Sequence, residues 1–191
     1  MRVLVVYASN DGQTRKIARR IAQVLERAGL LVELVDAASR DTIANSIDDF
    51  DAVLLLGAVR MGRHPQALID FVRTHREALE DIPNAFVSVS LSAGRDKPSA
   101  KREVAKTFHD FIFRTGWRPD AEMPVAGALL YTKYTLRIRL LMKFISWLTG
   151  GDTDTSRDYE YTDWDAVEDF ALRFASALAQ APEARAEMEL R

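Results

Sequence analysis

The chain has 191 residues, 48% of them hydrophobic, and a formal net charge of −2, which suits one domain with a sizeable core and argues against general nucleic-acid binding. It contains no cysteine, so disulfides, cysteine-based metal sites, thiol nucleophiles and iron–sulfur clusters are excluded. The charge is unevenly spread: residues 1–100 carry 13 basic and 13 acidic groups, residues 101–150 carry 9 and 4, and residues 151–191 carry 4 and 11, a pattern that suggests a localised contact surface. Arg2 is followed by only a strand-length apolar run, so no signal peptide is expected, and no apolar segment is long enough for a spanning helix. The expected location is cytoplasmic.

The first expected element is a strand over Arg2–Ala8. It runs directly into Ser9-Asn10-Asp11-Gly12-Gln13-Thr14, and an amphipathic helix follows over 13–29, with Ile17, Ile21, Val24, Leu25 and Ala28 at helical spacing. A strand, a short loop of Ser, Asn, Gly and Thr, and a helix N-terminus form a phosphate cradle, because backbone N–H groups and hydroxyls converge where the helix dipole favours an anion. Gly12 permits the tight turn, and Ser9 and Thr14 supply hydroxyls. No lysine follows the glycine, so this is not the loop that holds a nucleoside triphosphate and Mg²⁺. There is no G-x-G-x-x-G either. What remains is a site for one terminal phosphate held by uncharged donors, which points to a mononucleotide, with FMN the leading candidate.

Further strands are expected at Leu31–Asp36, Ala52–Ala58, Ala85–Leu91 and Val125–Leu129. Helices are expected over 66–80, burying Leu68, Phe71, Val72 and Leu79, and over 99–115, with Val104, Phe108, Phe111 and Ile112. The last helix is expected to start at Thr162 as N-cap and to bury Val167, Phe170, Phe174 and Leu178. Runs such as Val53-Leu54-Leu55-Leu56 are apolar on both faces, as a parallel sheet covered on each side requires. The alternation predicts an α/β, doubly wound sheet, with ligands bound past the carboxyl ends of the strands in the loops 9–14, 57–64 and 90–97.

An insert at about 130–158 interrupts the alternation within a single domain over 1–182, which is followed by a charged tail at 183–191. On a helical wheel, Thr135, Arg139, Lys143 and Ser146 share one narrow face of its stretch at about 134–149. Leu136, Ile138, Leu140, Leu141, Met142, Phe144, Ile145, Trp147 and Leu148 fill the remaining arc, broken only by Arg137. Such a surface must bury against the domain itself, a second copy in a homo-oligomer, or a membrane interface.

The motifs "DGQTR" at 11–15, "RPD" at 118–120, "AGAL" at 126–129, "GGDTDT" at 150–155 and "YTDW" at 161–164 carry a specific resemblance. The chain resembles the flavodoxin fold and, within it, the bacterial menaquinone-dependent protoporphyrinogen IX dehydrogenases. The likeness extends from Val3 to about Leu178, and the basic apolar insert has a counterpart there. It implies a flavodoxin-like five-stranded parallel sheet of order 2-1-3-4-5, FMN as cofactor, protoporphyrinogen IX as substrate, and menaquinone or another quinone as acceptor. It also implies FMN contacts at Ser9, Asn10, Asp11, Gly12, Gln13 and Thr14, then at Gly57, Ala58, Val59, Arg60, Met61 and Gly62. A third set is Ser90, Leu91, Ser92, Ala93 and Gly94, and Gly151, Asp152 and Thr153 suit a polar loop over the flavin. Flavodoxin-like proteins often stack an aromatic on the flavin from the second loop, whereas Met61 stands here.

The flavin would carry the chemistry, so no side chain is required as catalyst. Arg60 and Arg63 are candidates to bind the two propionates of the macrocycle. His64 reads as structural or solvent-facing, with a catalytic role as the alternative, and His75 and His109 read as surface residues. Menaquinone resides in the membrane, and Arg137, Arg139, Lys143 and Lys133 would favour peripheral association with the inner face of the cytoplasmic membrane through about 134–149. Alternative functions on the same fold are a flavodoxin-type soluble electron carrier and an NAD(P)H:quinone reductase. The near-neutral charge and basic apolar insert argue against the carrier, and no second phosphate site for a dinucleotide is visible.

Overall fold

Five runs pair in parallel to form the sheet: β1 (Arg2–Ala8), β2 (Leu31–Asp36), β3 (Ala52–Ala58), β4 (Asn84–Ser90) and β5 (Ala121–Ala126), in the order β2-β1-β3-β4-β5. The computed structural model describes residues 1–39, 47–133, 140 and 154–189. Side chains alternate across the central strands into two cores. Val3, Val5 and Tyr7 of β1 pack beneath α1 (Gln13–Arg27) and α5 (Trp164–Glu189). Leu4, Val6 and Ala8 pack on the other side with α2 (Gln66–Thr74), α3 (Arg76–Asp81) and α4 (Pro98–Thr115). Burial on both faces is why β1 and β3 read as unbroken apolar runs. The second core closes around Phe86 and Phe111, stacked with centroids 4.3 Å apart, and the fully buried Trp117.

Several boundaries differ from the sequence expectation. The helix expected over 66–80 is two helices, broken at His75, whose φ of −110° is not helical and whose ring lies 4.7 Å from that of Phe71. His75 is therefore half-buried rather than a free surface residue. The strand expected at Val125–Leu129 is split. β5 ends at Ala126, the Gly127 N–H donates to the Ser90 carbonyl, and Ala128–Leu129 (β6) pairs antiparallel with Tyr159–Glu160 (β7). β5 also begins earlier than expected, because Asp120 and Asn84 clasp its start. The Asn84 N–H donates to Asp120 Oδ2 and the Asp120 N–H to Asn84 Oδ1, both at 3.0 Å. That reciprocal pair is the physical content of "RPD". The N-cap of α5 is Asp163 rather than Thr162. Asp163 Oδ1 accepts the Ala166 N–H at 3.0 Å and its carbonyl accepts the Val167 N–H. Ala28 falls just past α1 and is exposed.

Asn84 is 3% exposed and also donates to the Leu79 and Ile82 carbonyls. Asn84→Ala leaves these groups unpaired, and denaturant unfolding is expected to show a loss of about 2–3 kcal/mol.

Candidate functional site

The parallel registers set Ala8 beside Gly57, Ala58 beside Val89, and Ser90 beside Ala126, so the loops leaving β1, β3 and β4 line one edge of the sheet. Helices α1 and α5 cover one face of the sheet and α2, α3 and α4 the other, so the strand order reverses between β1 and β3, the place where open sheets of this kind bind ligands. The three expected loops therefore converge. Gly151, Asp152 and Thr153 lie outside the described residues, as does the stretch 134–149 apart from Leu140.

In the first loop Gly12 takes φ 98°, the left-handed conformation that favours glycine, and its N–H donates to Ser9 Oγ at 3.0 Å. Helix α1 starts at once, its first backbone bond running from the Lys16 N–H to the Gly12 carbonyl. Among the described residues no side chain caps it, and no acidic residue sits in its first turn. The leading N–H groups of an uncapped helix need an acceptor. Thr14 is 2% exposed, and its hydroxyl has no hydrogen-bond partner among the described residues. An uncapped helix end beside an unpaired hydroxyl suits a terminal phosphate.

The second loop folds into a two-residue turn. The Arg60 N–H donates to the Arg63 carbonyl at 2.9 Å and the Arg63 N–H to the Arg60 carbonyl at 3.1 Å, with Met61 (φ 52°) and Gly62 (φ 72°) at its tip. Met61 is the only non-glycine with positive φ among the described residues, a conformation that costs about 1–2 kcal/mol. It is 91% exposed, so its side chain makes little compensating contact. Arg60 and Arg63 oppose each other across the turn, both exposed and neither in an ion pair among the described residues. Like charges placed so oppose folding and suit a ligand with paired anions.

His64 closes this loop from inside. It is 5% exposed, its Nε2 lies 3.0 Å from Ser88 Oγ on β4, and its ring packs against Phe86 and Phe111. A Cβ on Gly57 would come within 2.7 Å of His64 Cδ2 and 2.8 Å of Leu68 Cδ2, so the end of β3 must be glycine for this anchor to seat. Burial, with the nearby Arg114 charge, lowers the His64 pKa to about 4, which keeps the imidazole neutral. His64 is therefore an anchor of the loop and not solvent-facing.

In the third loop Ser90 Oγ accepts the Ala93 N–H at 3.2 Å, and Ser92 donates to Glu103 at 2.7 Å. Beside it, β6 and β7 clamp the two ends of the insert over a small core of Leu129, Leu130 and Tyr131. Tyr131 is fully buried and meets Tyr159 edge to face at 6.3 Å.

Sequence reasoning missed a polar hub at Glu160. Its Oε2 accepts from Lys16 Nζ and its Oε1 from Trp164 Nε1, both at 2.8 Å, while the Lys16 ammonium lies 4.9 Å from the centroid of the Trp164 ring. Burial alone would raise the Glu160 pKa, but hydrogen bonds from Lys16, Gln13 and Trp164, with the Lys16 charge, hold it below the ordinary carboxylate value. The available signal was "YTDW", which follows Glu160 directly.

Residues 4–156 match the flavodoxin domain family. Over 176 residues the chain is 32% identical to the protoporphyrinogen IX dehydrogenase [quinone] of Escherichia coli strain K12, covering 92% of this chain and 95% of that protein. It is 35% identical over 175 residues to the protein of the same name from Leishmania major, covering 91% and 74%. Among solved structures, rubredoxin oxygen:oxidoreductase from Desulfovibrio gigas superposes with a TM-score of 0.56 at 16% identity, which shows a shared fold. The match covers 93% of this chain and 36% of that one. The fold and the sequence relationships define a flavodoxin-like oxidoreductase. The chain belongs to the quinone-dependent protoporphyrinogen IX dehydrogenase family.

His64 binds a proton more weakly in the folded chain (pKa about 4) than its ordinary 6.5. Its contribution is therefore fully present above pH 6.5, is lost as pH falls from 6.5 to 4, and levels off below. Wild-type stability is expected to fall across that window by up to about 3 kcal/mol more than that of His64→Gln, measured by denaturant unfolding at each pH.

Proposed function

We propose that this chain oxidises protoporphyrinogen IX to protoporphyrin IX with FMN as its cofactor and passes the electrons to menaquinone, as a step of haem synthesis. The observation that carries the reading is the start of α1, which among the described residues has neither a side-chain cap nor a partner for the Thr14 hydroxyl, set on the same sheet edge as the Arg60–Arg63 turn in a chain of this family. Bound FMN would supply a two-electron acceptor.

The chain's own residues bind and orient. Ser9 to Thr14 would hold the FMN phosphate with backbone N–H groups and hydroxyls, and residues 57–62 and 90–94 would flank the rest of the cofactor. Arg60 and Arg63 would grip the substrate propionates with guanidinium forks. Met61, held out by the strained turn, would offer a polarisable apolar contact. Oxidation of the macrocycle removes six electrons and six protons, which three quinones take up to give three quinols. No side chain is assigned a proton-transfer role.

Among the described residues no helix is long and apolar enough to cross a membrane. Peripheral attachment to the inner face of the cytoplasmic membrane through about 134–149 is supported by the sequence pattern alone, and Leu140, the described residue within it, is 59% exposed.

Anaerobic mixing of FMN-loaded protein with protoporphyrinogen IX and a menaquinone analogue is expected to give fast, quinone-dependent porphyrin fluorescence. No rate above the protein-free control, with flavin bound and reducible, would contradict the reading. Replacing both Arg60 and Arg63 by Ala is expected to raise KM for the porphyrinogen by about 10- to 100-fold, measured with FMN kept saturating. Sedimentation with anionic liposomes at low salt is expected, and its absence would remove the membrane role.

A further inference from the structure

We propose that Thr162 is a positioning residue for the phosphate loop, tying the first turn of α1 to the end of β5 and to the strand on which the insert returns. The inference rests on the FMN reading above. Gln13 opens α1 and is 9% exposed, and its Nε2 donates to Thr162 Oγ1 at 2.9 Å. The same oxygen donates its own proton to the Ala126 carbonyl at 2.7 Å. Only a hydroxyl can accept from the amide and donate to the carbonyl at one atom. A side chain of the same shape without it leaves the Ala126 carbonyl without this donor and cuts the tie from the Gln13 amide to β5.

The residues flanking Thr162 extend the brace. The Tyr161 N–H donates to the Gly127 carbonyl, and the Gly127 N–H to the Ser90 carbonyl. A Cβ on Gly94 would lie 3.4 Å from Tyr161 Cβ, so the third loop rests on this segment. On the other side Glu160 takes the Lys16 ammonium, which draws that cation toward β7. Residues 160–164 thus join the first loop, the third loop and the base of the insert. By linkage, whatever fixes one of these fixes the others.

The test uses the full chain with Thr162→Val and Thr162→Ser. FMN and riboflavin affinities are read by quenching of flavin fluorescence, and amide hydrogen exchange is read on the flavin-free protein. Thr162→Val is expected to weaken FMN binding about 10-fold or more while riboflavin, which lacks the phosphate, binds as to wild type. Exchange at residues 12–17 should quicken with α5 protection intact, and Thr162→Ser should restore both. Gln13→Met, which removes the amide donor and leaves Thr162 bonded to Ala126, should reproduce the exchange change if Thr162→Val does not fold. Wild-type FMN affinity and unchanged exchange at 12–17 in Thr162→Val, or in Gln13→Met where Thr162→Val does not fold, would overturn the proposal. A wild-type chain that binds no FMN would instead overturn the cofactor reading, and the exchange pattern alone would then decide whether Thr162 positions the loop.

Discussion

Everything at the site depends on one constraint: α1 begins at a left-handed glycine with its first-turn N–H groups uncapped and pointing past the carboxyl edge of the sheet. The helix cannot swing to relieve them. Ile17, Ile21 and Leu25 are fully buried against β1 and β3, and Arg20 pairs with Glu168 of α5. Packing thus fixes the axis of the helix dipole, and the dipole fixes where an anion is stabilised. A side-chain cap would satisfy the same groups, typically adding about 1 kcal/mol of stability, and would occupy the anion's place.

The second loop follows the same logic by different means. A methionine in the left-handed region and two opposed arginines are each unfavourable to the folded chain alone. They persist because the base of the loop is over-determined: Gly57 makes room, His64 fills it, and Ser88 meets the imidazole. A neutral, buried histidine suits that role, since an imidazolium there would face Arg114 inside an aromatic pocket. The strained tip and the rigid base therefore belong to one device, which presents charge and a polarisable apolar group on a firm support.

The centre of the sheet was legible because β1, β3 and β4 are buried on both faces, while β2, only half-buried, is still an unbroken strand-length run. β1, β2 and β3 fall at the expected residues, and the glycine loop follows from the residue types that a phosphate needs. What escaped did so for local reasons. β5 hides behind the exposed Glu122 and Pro124, which suit an edge strand but break the apolar pattern. The break at His75 lies inside a stretch with continuous helical spacing. Thr162 and Asp163 are both good N-caps, and only the tertiary bonds of Thr162 to Gln13 and Ala126 decide between them. The Gln13–Thr162 and Lys16–Glu160 bonds could not be seen, because their partners lie over 140 residues apart in sequence.

The most direct measurement is the affinity of the flavin-free chain for FMN against riboflavin, with inorganic phosphate as competitor. Two or more charge-assisted hydrogen bonds from the first loop to the phosphate predict a gap of about 100-fold or more in favour of FMN, closed by Gly12→Val and narrowed by phosphate. Equal affinities for the two flavins would contradict a phosphate site at the start of α1, and with it the reading of this edge of the sheet as the cofactor site.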